Sequence, residues 1–279
     1  MLSNGFGFIL VYFVYGLAFF CMGLVMSLES RRASAIGEAR LLTPLAIFGF
    51  VHGIHEWIEL FLELRKLFNL PTPAAADGGR LLLLLISFAF LFLFALQALK
   101  PLRPPLPIWV VYGGLGLLIL ALVMTALIGL IQRESLPEWN IRADALSRYL
   151  LAVPAGILAA IGLIRQSRRS QSTDRRMASG LLIAGASFGL YGLTQMAVPP
   201  ADIFPARYFN STVFLSWFGF PVQGARLFLA TLITLGLTLA IQAAEAERRR
   251  QLASAQQARL EALQQIHQDL EEREALRRE

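Results

Sequence analysis

Seven apolar segments constrain this chain more than any other feature. A run of about 20 apolar residues crosses a bilayer as a helix, because only a helix or a closed barrel satisfies its own backbone polar groups in hydrocarbon. The segments lie near Phe6 to Leu28, Leu41 to Leu62, Leu81 to Leu99, Ile108 to Ile131, Leu150 to Ile164, Ala178 to Met196 and Pro221 to Ile241. The fifth is short and carries Pro154, which is expected to kink it. With 56% hydrophobic residues, 16% charged residues and a mean hydropathy of +0.58, the 279-residue chain reads as an all-α polytopic membrane protein. Its lipid partner is the bilayer itself. Met1 to Gly5 lacks the basic stretch of a secretory signal peptide, so the first segment is expected to be retained as a span.

The net charge of +6 is no sign of nucleic-acid binding, because the basic residues lie mainly in loops and in the tail. Arg31, Arg32 and Arg40 follow the first span, Lys100 and Arg103 the third, Arg165, Arg168, Arg169, Arg175 and Arg176 the fifth, and Arg248 to Arg250 the seventh. The intervening loops are less basic. The positive-inside rule therefore predicts an external N-terminus and a cytoplasmic C-terminus. Cys21 is the single cysteine, which excludes an internal disulfide or a Cys-rich metal site. It is expected to be a small packing residue.

Within the second segment, FGFVHGIHEWIELFLELR, the helical period places His52, His55, Glu56, Glu59 and Glu63 within an arc roughly 100° wide. Ionisable groups at bilayer depth are costly and mark functional sites. Counting from Leu41, His52 lies roughly 16 Å into the membrane and His55 roughly 21 Å, with Glu56 and Glu59 nearer the outer boundary. The polar face thus runs from the midplane outward. Glu63, Arg65 and Lys66 fall at headgroup level.

Three kinds of ligand suit His52, His55, Glu56 and Glu59. Imidazole and carboxylate together suit a transition-metal ion, for which these i, i+3, i+4 and i+7 positions can present two or three ligands from one helix. A haem b could take one histidine axially, with a second ligand from another helix, from a Met such as Met196 or Met124, or from a partner subunit. A small polar or amphipathic molecule could instead be gripped by hydrogen bonds. The competing reading pairs these residues with Arg226, Arg148, Tyr12 or Gln195 simply to hold helices together. HGIHE is not the HExxH of zinc peptidases, since its Glu follows the second His. Gln223 and Arg226, at the outer end of the last span, are expected to reach the same cavity. They complete the cofactor-binding set.

Two external loops are expected, Gln132 to Arg148 and Ala197 to Gly224; the second is rich in aromatic residues and Pro, as befits an interfacial belt or a lid. After Ile241 the composition changes. Residues 242–279 have no Pro or Gly, and Leu252, Gln256, Arg259, Leu263, Ile266, Leu270 and Arg273 alternate by four and three as in a short coiled-coil seam. The chain thus divides into a membrane domain, 1–241, and a cytoplasmic signalling helix, 242–279, that is expected to lead into a further module and to make the protein a homodimer. His267, without the sequence context of a kinase phosphoacceptor, reads as a solvated linker residue.

YGLAFFCMGL in the first span, FGFVHGIHEWIELF in the second, and FPARYF followed by FGFPVQ before the last resemble the N-terminal seven-helix sensor region of bacterial signalling proteins. EEREALRRE is similar to the linkers that lead into their PAS, histidine-kinase or diguanylate-cyclase modules. The resemblance implies a sensor domain of the bacterial inner membrane with no catalytic residues of its own. A transporter or ion channel, with the acidic face as a cation path, and a membrane redox enzyme are the alternatives.

Overall fold

The computed structural model describes residues 2–33, 39–71, 74–99, 116, 131, 135–172 and 174–278. Among them it contains eight α-helices and one π turn. These are α1 (Leu2–Ala33), α2 (Ala39–Leu67), α3 (Ala74–Leu99), α4 (Leu136–Ser147), the π turn (Arg148–Ala152), α5 (Val153–Ser170), α6 (Arg175–Thr194), α7 (Ser211–Phe218) and α8 (Val222–Leu276). Six helical stretches among the described residues are long and apolar enough to cross a membrane, which makes the chain a polytopic helical membrane protein. The expected span from Ile108 to Ile131, with Met124, lies outside the described residues.

The spans close into a ring. α1 packs on α2, α2 on α3, α3 on α5, α5 on α6, α6 on α8, and α8 back on α1. Small residues set the closest crossings. A Cβ added to Gly49 would lie 2.5 Å from the backbone nitrogen of Gly23, and one added to Gly180 would lie 2.6 Å from the carbonyl oxygen of Gly236. Backbones meet there because no side chain separates them, the device by which membrane helices gain close packing without a hydrophobic driving force. Gln223 Nε2 donates to the Tyr12 hydroxyl at 2.7 Å and joins the last helix to the first.

Two sequence expectations are corrected. Residues 136–147 form helix α4 rather than a loop, and Pro154 does not break the fifth span. The helix runs on from Glu138 to Ser170 because the π turn accommodates the proline. Val153 N–H reaches back five residues to the carbonyl of Arg148, and Pro154 then sits in the first turn of α5. The missing proline N–H is needed least at that position. Cys21 is exposed on the outside of the bundle rather than packed within it. α8 is unbroken across residue 241, and on its tail Leu252, Leu263, Ile266 and His267 are exposed.

The interior changes character along its length. From His52 toward the start of α2 most of the buried residues are apolar, among them Met22, Met26, Leu45, Phe48, Leu91 and Phe94, with Glu29, Ser30, Ser167 and Ser187 as the buried polar exceptions. Toward the other end, buried polar residues accumulate. Tyr15, His52, His55, Glu56, Asp144, Arg148, Gln195 and Arg226 are all buried there.

Candidate functional site

His52 sits where the two halves of the interior meet. Phe19, Phe48 and Phe88 surround its ring at centroid distances of 4.6, 5.1 and 5.4 Å. Nδ1 lies 3.1 Å from Ser87 Oγ, whose own proton goes to the carbonyl of Leu84 at 2.7 Å. Ser87 therefore accepts, and Nδ1 carries the hydrogen. Nε2 faces the hydroxyls of Tyr191 at 3.2 Å and Tyr15 at 3.5 Å, and Glu56 Oε1 at 3.4 Å.

His55, one turn along, stacks nearly parallel on His52 with centroids 5.6 Å apart. It is fully buried, yet neither ring nitrogen makes a hydrogen bond among the described residues. Nδ1 lies 3.4 Å from the same Glu56 Oε1, and Nε2 lies 3.9 Å from Glu59 Oε2. A buried imidazole left in this condition is unusual, because buried polar atoms almost always find a partner.

Glu56 and Glu59 are treated differently by their surroundings. Arg80, at the start of α3, binds Glu59 Oε2 at 2.9 Å and Asp144 Oδ2 at 2.6 Å. Asp144 in turn accepts from Arg148 Nε at 2.6 Å, and Arg148 donates to Gln195 Oε1 at 2.8 Å. This chain of charge-assisted bonds ties α2, α3, α4 and α6 together. Among the described residues Glu56 has no arginine in ion-pair contact, and its ion-pair partners are the two histidines. Glu63 is outside the chain and pairs with Lys66 at 2.6 Å.

The π turn has a direct effect here. It begins at Arg148, whose guanidinium lies 5.8 Å from the centre of the Phe88 ring while also reaching Asp144 and Gln195. An extra residue in one turn redirects the side chains that follow, a feature often found at functional sites.

A cavity of about 300 Å³ opens above the histidines. Tyr12, Glu56, Glu59, Arg148, Gln223 and Arg226 line it, so helices α1, α2 and α8 and the α4–α5 junction all contribute walls. The segment from Ala197 to Val222 forms another side through Thr212 and Leu215. α7 within it is held by Asn210, which accepts from the N–H groups of Thr212 and Val213, and ends at Gly219 with φ 76°. Arg226 donates to the carbonyls of Thr194 at 2.8 Å and Ala197 at 3.1 Å, just where α6 leaves its carbonyls without helical partners. Its Nε has no hydrogen-bond partner among the described residues, nor has Gln195 Nε2.

The six sequence-selected residues thus fall into three groups. His52, His55 and Glu56 present ligand atoms all within 4.8 Å of one another. Glu59 is drawn to Arg80, and Gln223 and Arg226 stand across the cavity. Sequence reasoning missed Tyr15, Ser87, Asp144 and Tyr191. The i, i+4 spacing of Asp144 and Arg148 was the one available signal, and it lay in a stretch read as loop. Comparison with known proteins finds no matching family model, no matching curated protein and no matching solved structure.

Proposed function

We propose that this chain is the membrane sensor domain of a bacterial signal-transduction protein. It takes a small ligand or cofactor onto the polar face of α2 and passes the event to its cytoplasmic tail through α8. One observation carries the reading: Arg226 and Gln223, at the root of α8, line the same cavity as Glu56 and Glu59 of α2. A ligand there touches the helix that continues to Leu276 without a break. A small shift or rotation of that helix would change the register of the tail.

The domain has seven spans in this reading, with the N-terminus outside and the C-terminus in the cytoplasm. The direction of two neighbours supports the count. Arg80 and Ala98 of α3 meet Asp144 and Gly162 respectively, so α3 runs parallel to the α4–α5 helix, as the seven-span count requires. The exposed seam residues Leu263 and Ile266 suit a homodimeric coiled coil. Sensing is favoured over conduction because the buried core beyond His52 is mainly apolar, with Met22, Met26, Phe48 and Phe94 filling it. A macrocycle is disfavoured by the filled space around His52, where Tyr15, Tyr191 and Glu56 all approach Nε2.

The test is a fusion of the chain, through its tail, to a diguanylate-cyclase module that lacks its own sensor. Arg226→Gln is expected to change cyclase output severalfold, and Trp217→Ala, on the exposed side of the loop, to leave it unchanged. Equal output from wild type and Arg226→Gln would sink the proposal.

A further inference from the structure

The histidine pair and Glu56 have the spacing of a metal centre. A four-coordinate zinc-type ion with bonds of about 2.0–2.1 Å places its ligands about 3.3–3.4 Å apart along each tetrahedral edge. His52 Nε2 and His55 Nδ1 each lie 3.4 Å from Glu56 Oε1. Two of the three edges therefore already have that length. The third closes within 4.8 Å.

The nitrogens that would not bind the ion also have the right surroundings. Ligand histidines donate their second N–H to a carboxylate, carbonyl or hydroxyl, which fixes the ring and the tautomer. His52 Nδ1 is already bound to Ser87 Oγ at 3.1 Å, which leaves the lone pair on Nε2; the hydroxyls of Tyr191 at 3.2 Å and Tyr15 at 3.5 Å share that side with Glu56 Oε1 at 3.4 Å, and an ion takes the place of their hydrogen bonds to the ring. His55 Nε2 faces Glu59 Oε2 at 3.9 Å, and that carboxylate is anchored by Arg80. The orphaned Nδ1 of His55 and the arginine-free Glu56 find partners together when an ion lies between them.

Access is polar. Glu63, Glu59 and Glu56 succeed one another along α2, and all three line the cavity, so carboxylates lead from its mouth to its floor. Glu56 belongs to both cavity and cluster.

We propose that His52, His55 and Glu56 form a buried site for a divalent first-row transition ion, best matched by zinc, entered through the cavity and open there to a fourth ligand. The inference rests on the receptor reading for its role, since the ion would be what α8 responds to. His52 Nε2, His55 Nδ1 and Glu56 bind directly; Ser87 and Glu59 position the rings.

The full chain in detergent is equilibrated with cobalt(II) chloride and, separately, with zinc chloride, then dialysed and assayed for retained metal. The expected result is one ion per chain, with the intense visible absorption of tetrahedral cobalt. His55→Ala and Glu56→Gln should abolish both, and His267→Ala should preserve both. Ser87→Ala should weaken zinc by about 10–100-fold. Thermal unfolding of each variant identifies those that are folded, and the near-isosteric Glu56→Gln carries the test if His55→Ala does not fold. No retained metal in folded wild type, or retention unchanged in both folded variants, overturns the site. A spin label on the tail at Gln257 separates this inference from the one above: zinc retained with a motionless tail keeps the ion site and overturns its role in signalling. Absence of zinc leaves the receptor reading to the cyclase fusion.

Discussion

Asp144 illustrates how single side chains hold the polar half together. It is buried and accepts from both Arg80 and Arg148 at 2.6 Å. Asp144→Asn leaves two guanidiniums in a low-dielectric interior with one carboxylate fewer. Breaking such a buried pair costs about 3–5 kcal/mol. Thermal or denaturant unfolding in detergent should show a loss of that size, and a change under about 1 kcal/mol would mean that the network contributes little. The face carrying His52, His55, Glu56 and Glu59 was legible in the sequence because the helical period alone places them together. Ser87, Tyr15 and Tyr191 were not, since they arrive from three other helices and no periodicity links those helices to α2. The pairing of Glu59 with Arg80 was hidden for the same reason. Nothing local announces that Arg80, 21 residues away, will bind it.

At the level of elements, six of the seven expected spans were readable from apolar length, and the boundaries less so. Pro154 argued for a kink, and the five-residue π turn that ends at Ala152 absorbed it instead; the choice depended on Arg148 finding Gln195 at the end of α6 and Phe88 on α3, which no local rule supplies. Helix crossings were also hidden, because a glycine in an apolar run looks alike whether it meets lipid or another backbone. Gly49 and Gly7 make the distinction measurable. A Cβ at Gly49 would lie within 2.7 Å of Gly23 Cα and the Phe19 carbonyl, whereas one at Gly7 meets nothing within 4 Å. Gly49→Ala should therefore push α1 from α2 and lower the unfolding midpoint. Overpacking of this kind costs about 1–3 kcal/mol. Gly7→Ala should be neutral within about 0.5 kcal/mol. Equal effects at the two sites would show that the α1–α2 contact is not close.

For the molecule as a whole, the change of composition after Ile241 was legible as a change of environment, whereas the unbroken helix through it required the structure. At 1.5 Å per residue the 55 residues of α8 extend roughly 80 Å, far more than a bilayer's thickness. Leu263 and Ile266 are exposed on this tail and share the expected seam. In a Cys21→Ser background, Leu263→Cys should give disulfide-linked dimers on mild oxidation, and Glu261→Cys, on the opposite side, should not. Cross-linking that is equal at both positions, or absent at Leu263, would contradict a specific coiled-coil dimer.

The bond from Gln223 to Tyr12 also has a meaning for how the protein is made. The chain enters the membrane from its N-terminus, and the wall contributed by α8 is the last to be synthesised. Until then α1 has no partner on that side, and Tyr12, Glu56 and Arg148 face an incomplete enclosure. The cavity is consequently a property of the finished membrane domain alone. A nascent chain halted before Val222 carries the histidines but lacks the cavity wall that Gln223 and Arg226 supply.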